Sequence, residues 1–216
     1  MSALFITATG TDIGKTFVAA CLTWQLRNNG IRTIKPIITG FVEGEENDTT
    51  LLQRLQPGTS VDDISPWRFA APISPSQAAP RENRAIDPNE VIRFCKETIK
   101  AHDITIIEGI GGALVPLRPN YLVTDWIKAL DIPVLVVAGS YLGTFSHTFS
   151  CLESLQTRGF NIKGVVVSQS LEEPIELDET IAALQAGATS IPFLGLARIH
   201  EPEPWKHAPD LTKLLD

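Results

Sequence analysis

The chain holds one methionine, two tyrosines and three cysteines in 216 residues. Cys21, Cys95 and Cys151 are odd in number, far apart and each set in an apolar helical pattern. They read as buried thiols in a reducing compartment, which excludes a disulfide framework or a cysteine-built metal knot. A surplus of basic residues is also missing: 18 Lys and Arg face 25 Asp and Glu, a formal charge of −7. That balance repels a polyanion, and with no basic stripe to offset it, nucleic acid is excluded as a partner. No apolar run approaches the ~20 residues of a membrane span; the longest, such as 134–138, are strand-sized. Residues 1–6 lack the basic region of a signal peptide and run directly into a glycine loop, so they read as a first strand. Internal repeats, low-complexity tracts and interdomain linkers are absent from the sequence. A cytoplasmic protein without a membrane partner, folded as a single domain over residues 1–216, is the expectation.

Strand-like runs at 3–7, 32–35, 104–107, 133–138, 163–167 and 192–196 are mostly separated by helical patterns. This alternation predicts an α/β fold with a mainly parallel sheet covered by helices on both faces. After the first loop, Phe17, Val18, Cys21, Leu22, Trp24 and Leu26 fall on helical spacings, and Asn29-Gly30 is the expected stop. A second helix is expected from Asp87-Pro88 to about His102, with Asp87 as N-cap and Glu90 as its capping-box partner. Two stretches break the rhythm, the acidic 41–48 and the proline-punctuated 65–85, and both read as ordered loops beside a site. The prolines from 202 to 209 predict an irregular crossing before a short final helix at 211–215.

The chemistry begins at Thr9-Gly10-Thr11-Asp12-Ile13-Gly14-Lys15-Thr16, between a predicted strand and a predicted helix, where a phosphate-binding P-loop has to sit. Backbone N–H groups and the helix N-terminus would hold phosphate oxygens, Lys15 would reach the β/γ-phosphates, and the Thr16 hydroxyl would ligate Mg²⁺. Thr9 replaces the usual first glycine of that motif. Gly10 occupies the place where ATPases that position cargo or partition DNA carry a signature lysine, which disfavours that group. Asp12 in a phosphate cradle either meets a cation or caps the helix.

In open α/β sheets, ligands bind beyond the carboxyl ends of the strands. One predicted strand ends at Lys35-Pro36, followed by Thr39-Gly40, and another at Glu108-Gly109-Ile110-Gly111-Gly112. Pro36 keeps Lys35 extended, so its amine projects from the strand tip. Glu108 is a metal-shell carboxylate or a turn residue, and Asp48 is either a Mg²⁺ ligand or the N-cap of a helix at 49–55.

With these pieces in order, the chain resembles the dethiobiotin synthetases over nearly its whole length. The residues that carry the resemblance are residues 11–16 and 35–40, Asn47-Asp48, residues 71–75 and 108–112, Asp125-Trp126, and Leu142-Gly143 ahead of His147. The resemblance implies a P-loop NTPase-like three-layer fold and a Mg-ATP-dependent cyclo-ligase that condenses 7,8-diaminononanoate with CO₂. It implies that Lys35, Lys15 and Thr11 serve catalysis and that Thr16, Asp48 and Glu108 form the Mg²⁺ shell. ATP would contact Asp12, Ile13, Gly14, Lys15, Thr16, Phe17, Asp48, Glu108, Gly109, Ile110, Gly111, Ser168, Gln169, Ala197, Arg198 and Ile199. Thr39 and the helix start Gly143-Thr144-Phe145-Ser146 would contact the diamine, the latter at its distant carboxylate. His147 and Asp125 are expected to be structural. A homodimer with substrate near the subunit interface is also implied. Ser168-Gln169 departs from the Asn-Asp pair that relatives often present to adenine, which predicts weaker discrimination against other nucleoside triphosphates. Two competitors remain: a related amidoligase, which would normally carry a glutaminase domain that 216 residues cannot accommodate, and a nucleotide-dependent switch stimulated by a protein partner.

Overall fold

A computed structural model describes residues 3–215. Strand β1 (Ala3–Ala8) is buried at every position, as an apolar run covered on both faces must be. It is flanked by β5 (Ile104–Glu108) and β8 (Val134–Gly139) in a six-stranded sheet. Beyond β5 lies β2 (Ile31–Ile34); beyond β8 lie β9 (Ile162–Ser168) and then β10 (Phe193–Leu196). All pairings in this sheet are parallel.

Because side chains alternate along a strand, each β-strand serves two cores. Phe5, Ile107, Val134, Val136 and Val165 face one side. There they pack under α4 (Pro75–Arg81), α5 (Pro88–Ala101), α6 (Val123–Leu130), α7 (Thr144–Thr157) and α8 (Leu177–Gly187). Leu4, Ile6, Ile106, Leu135, Val137 and Val166 face the other side. Their cover is α1 (Lys15–Gln25), α2 (Asp48–Arg54), α3 (Val61–Ile64) and the 3₁₀ turns Pro204–Lys206 and Leu211–Leu214. Phe5 meets Trp126 edge to face at 4.9 Å, and burying a phenyl ring of that kind is worth about 1.5–3 kcal/mol. Among the described residues no helix is long and apolar enough to cross a membrane.

The six expected strands are all present, within a residue or so of the expected bounds. Several other details differ. Helix α1 ends at Gln25 rather than Asn29, and the chain reaches Gly30 (φ 64°) through turns closed by Leu26 N–H to Leu22 and Asn29 N–H to Leu26. Asp87 caps α5 by accepting from the Asn89 N–H at 2.9 Å, while Glu90 is an exposed first-turn acid at the positive end of the helix. Reciprocal capping boxes form elsewhere, at Asn47/Thr50 and Ser60/Asp63. The stretch 65–85, expected as loop, contains α4 and the strand β4 (Trp67–Phe69), which pairs in parallel with β3 (Ile37–Thr39). Three-residue strands beside prolines carry too little periodicity to announce themselves. The hairpin β6 (Pro116–Arg118) and β7 (Tyr121–Leu122) was equally silent in the sequence, and the final helix is a 3₁₀ turn.

The chain runs from β1 to β2 on one side of the sheet and later returns through β8 on the other side of β1. That reversal places the switch point of the sheet at the carboxyl end of β1, where the crevice of such folds opens.

Candidate active site

The loop after β1 turns twice through the left-handed region, at Asp12 (φ 57°) and at Gly14 (φ 97°), before α1 begins at Lys15. A Cβ at Gly14 would stand 2.7 Å from Ser168 Oγ, so both conformation and space require glycine there. No side chain caps α1, leaving first-turn N–H groups to a ligand, as an anion at a helix N-terminus needs. Lys15 is buried and its Nζ lies 3.3 Å from the Gly10 carbonyl. Burial lowers its ammonium to about 8, against the opposing pull of Glu108.

Beside this loop, three strand ends converge on one cluster. Thr16 Oγ1 donates to Glu108 Oε1 at 2.7 Å, and Lys35 Nζ donates to the same oxygen at 2.8 Å. Lys35 also pairs with Asp48 and lies 3.4 Å from Thr16 Oγ1. Burial pushes the Lys35 ammonium down, but Glu108 and then Asp48 outweigh it and hold the group above the ordinary lysine value. Burial likewise opposes ionisation of Asp48, and the Lys35 charge overcomes it, keeping that carboxyl below its usual range. Asp48 is free for this pairing because Asn47, not Asp48, caps α2: Asn47 Oδ1 accepts from the N–H groups of Thr49 and Thr50. The alternative of an Asp48 N-cap is thereby corrected.

A hard divalent cation fits this donor set. Glu108 is fully buried and its Oε2 has no hydrogen-bond partner, so an acceptor stands ready. The Lys35 ammonium already holds two carboxylates and a hydroxyl around one positive charge. The carboxylates of Glu108 and Asp48 with the Thr16 hydroxyl match Mg²⁺, an ion that takes one or two carboxylates and keeps several waters.

Three clefts meet at the loop. The first, of about 350 Å³, is walled by Lys15, Thr16, Lys35, Thr39, Asp48 and Glu108, together with Ile110 and Gly111. The second, about 370 Å³, gathers Phe17, Ser168, Gln169, Ala197, Arg198 and Ile199, the dispersed residues expected around a nucleobase. The third, about 680 Å³, is more apolar, with Ala113, Leu114, Val115 and Cys151 in its walls. Asp12 and Ile13 border all three, and Thr11 borders the first and third.

Some expected contacts fall elsewhere. Gly109 lines none of the three clefts; its N–H bonds the Ile6 carbonyl, and an added Cβ would stand 2.8 Å from Phe5 Cε1. Its role is close packing that seats Glu108. The segment Gly143-Thr144-Phe145-Ser146 also lies outside the walls of the large cleft. The Thr144 hydroxyl is consumed by the Gly139 carbonyl at 2.5 Å, and Phe145 packs on the core. Gln169 has its carboxamide engaged within the protein, to Glu173 and to the Arg198 N–H. Asp125 accepts from the Leu122 N–H at 2.7 Å as a cap, and His147 Nδ1 lies 2.9 Å from the Tyr141 hydroxyl.

Sequence reasoning missed Ser150 of the large cleft, and read Cys151, also in its wall, correctly as a buried thiol. With His147 the two are spaced i, i+3 and i+4 on one face of α7, a periodicity that could have flagged Ser150. All three cysteines are buried and free; burial pushes the thiol of Cys21 to about 12 and that of Cys151 to about 11.

Parallel sheet, glycine-turned loop and buried lysine at the head of α1 together define a P-loop nucleotide-binding protein. The comparisons with known proteins narrow this. A family model described as an AAA domain matches residues 2–198. The ATP-dependent dethiobiotin synthetase BioD of Acidiphilium cryptum is 41% identical over 204 residues, which cover 89% of this chain and 92% of that one. Its counterpart in Methylobacterium nodulans is 38% identical over 212 residues, 92% and 94% of the two chains. Among solved structures, the cell division ATPase MinD of Pyrococcus furiosus aligns with a TM-score of 0.56 at 15% identity, over 97% of this chain and 90% of that one. A ParA family ATPase from Chlorobium tepidum aligns with a TM-score of 0.54 at 16% identity, over 94% and 86%. These two show likeness of fold alone. The chain belongs to the AAA domain family of that model and, within it, to the ATP-dependent dethiobiotin synthetases.

Proposed function

We propose that this chain, acting as a single domain, closes the ureido ring of dethiobiotin from 7,8-diaminononanoate and CO₂, converting ATP to ADP and phosphate. One amine adds to CO₂ and loses a proton, giving a carbamate. A carbamate oxygen attacks the γ-phosphorus and ADP leaves, forming a carbamic-phosphoric anhydride. The second amine attacks the carbonyl carbon, loses a proton and expels phosphate. The observation that carries this reading is the shared border of the clefts: Thr11, Asp12 and Ile13 wall both the phosphate cleft and the large apolar one. An aliphatic diamine in the large cleft would present its amines at the end of the triphosphate.

Carbamate and triphosphate repel each other, so the chain must bring positive charge between them. Lys15 holds the β/γ-phosphates with the free N–H groups of α1. Lys35, charged because Glu108 and Asp48 keep it so, faces the transferring group, and Thr11 positions the carbamate from the cleft border. Thr16, Asp48 and Glu108 would hold Mg²⁺, which when bound neutralises charge on the phosphate oxygens. Phe17 and the backbone of 197–199 border the base, while Thr39 lies on the phosphate side of the diamine. The N-terminus of α7 at Gly143, Thr144, Phe145 and Ser146, outside the walls of this chain's own large cleft, would offer its backbone to the diamine's carboxylate only across the interface of a homodimer. A cytoplasmic homodimer completes the proposal, supported by Leu142 and Leu171, exposed to 84% and 85% and lining one shallow depression beside the clefts.

The test is to incubate the purified protein with Mg-ATP, bicarbonate and 7,8-diaminononanoate and to follow phosphate release together with the dethiobiotin mass. Both products should depend on every substrate and fall sharply in Lys35→Ala. ATP hydrolysis without dethiobiotin would sink the ligase reading and favour the nucleotide-switch alternative.

A further inference from the structure

The base cleft is built on a hydrogen-bonded chain that begins outside it. Glu173, in the segment between β9 and α8, accepts from Ser140 Oγ at 2.8 Å with one carboxylate oxygen and from Gln169 Nε2 at 2.5 Å with the other. Gln169 in turn accepts the Arg198 N–H on its Oε1 at 2.9 Å, and its own N–H bonds the Leu196 carbonyl. Ser140 is anchored separately, by reciprocal bonds with Ser170: Ser140 N–H to Ser170 Oγ at 3.0 Å and Ser170 N–H to Ser140 Oγ at 2.9 Å.

A carboxamide carries two N–H donors and two acceptor lone pairs, so Gln169, with one of each used inside the protein, keeps one N–H and one lone pair in an orientation that its partners fix. Here one end of the carboxamide is bound to a carboxylate and the other to the main chain, and flipping the amide would set its oxygen against Glu173. A charge-assisted bond is roughly twice as strong as a neutral one, so the Glu173 contact decides the orientation.

We propose that Glu173 is a positioning residue for the nucleotide: it locks the Gln169 carboxamide in one orientation, seats the Arg198 backbone at the base cleft, and so sets which bases the cleft prefers. This rests on the nucleotide site described under Proposed function and extends it to specificity.

The test is calorimetric binding of Mg-ATP, Mg-GTP, Mg-CTP and Mg-UTP, alongside turnover, in the wild type and three variants. Gln169→Glu sets two carboxylates against each other and should weaken all four at least tenfold, raising KM while kcat at saturation changes little. Glu173→Ala should free the amide and alter the order of preference among the bases. In Gln169→Glu with Glu173→Gln, the carboxylate and amide exchange places: the carboxylate at 169 accepts from the amide at 173 and from Arg198 N–H, and the amide oxygen at 173 accepts from Ser140. This pair rebuilds the lock and should recover at least tenfold of the affinity lost in Gln169→Glu, a rescue that merely structural damage would not show. An order of preference among the four nucleotides that Glu173→Ala leaves unchanged would overturn the proposal. So would failure of the double variant to recover while circular dichroism shows it folded. Binding requires no turnover, so absence of dethiobiotin would sink the proposed function and leave this test intact.

Discussion

Lys35 and Glu108 stand at the carboxyl ends of adjacent parallel strands, one position beyond the Ile34–Ile107 pairing, and their 2.8 Å contact joins two fully or nearly buried charges. Truncating Lys35 would strand the Glu108 carboxylate, a loss of about 3–5 kcal/mol for breaking a buried pair. Lys35→Ala should therefore melt earlier, and at a temperature where it stays folded its kcat should fall on the order of 10²–10³-fold, the cost of removing a preorganised charge from the reacting group. Steady-state kinetics with a parallel melting curve checks both. Near-normal kcat in the folded variant would remove Lys35 from the chemistry.

Asn47 acts on the site through Asp48. Asn47→Ala removes the cap of α2, at about 1 kcal/mol, so the melting temperature should fall by about 2–4 °C. Asp48 sits in the loosened first turn, and half-maximal activity should require more Mg²⁺. Titration with MgCl₂ reads this directly; an unshifted curve would confine Asn47 to stability.

Gly109→Ala places a Cβ 2.8 Å from Phe5 Cε1 and 3.2 Å from the Ile6 carbonyl oxygen. The backbone oxygen cannot swing away, so overpacking of about 1–3 kcal/mol is expected, with Glu108 pushed from its place. Denaturant unfolding and kcat should both register the change. A variant as stable as the wild type would show that β1 and the loop after β5 yield more easily than their contacts imply.

Lys15 supplies the pH dependence. Burial lowers its ammonium to about 8, below the 10.5 of an exposed lysine, while a bound triphosphate would restore the charged form. Nucleotide binding should therefore take up a proton, and affinity should weaken as pH rises above about 8. Calorimetry at pH 8–9 in two buffers of different ionisation enthalpy measures the uptake, which should vanish in Lys15→Ala. For stability the sign is opposite: between about 8 and 10.5 the unfolded chain binds more protons, so the penalty of burying this charge is full below 8 and relieved as pH rises. Uptake that survives in Lys15→Ala would assign the titration to another group.

What the sequence alone determined is what a few neighbouring residues determine. The apolar runs of β1, β5, β8 and β9 announced a parallel sheet because strands covered on both faces have no polar side to alternate with. Gly14-Lys15-Thr16 announced the phosphate loop because backbone turn, charge and hydroxyl lie within a few residues of one another. The short pairing of β3 with β4 was silent, since three residues carry no period and the partner stands about thirty positions away. The sequence offered Asp48 as a helix cap, and the folded helix is capped by Asn47 instead, with Asp48 turned to Lys35. It flagged Gly109 beside the nucleotide, where the nearness of Phe5 makes it a packing residue. The ties from Glu173 to Ser140 and Gln169 arise only because β8, β9 and β10 are neighbours in the sheet. Capping, turn and period act locally and are written in the chain. The meeting of charges at the strand ends depends on strand order, which long-range packing alone decides.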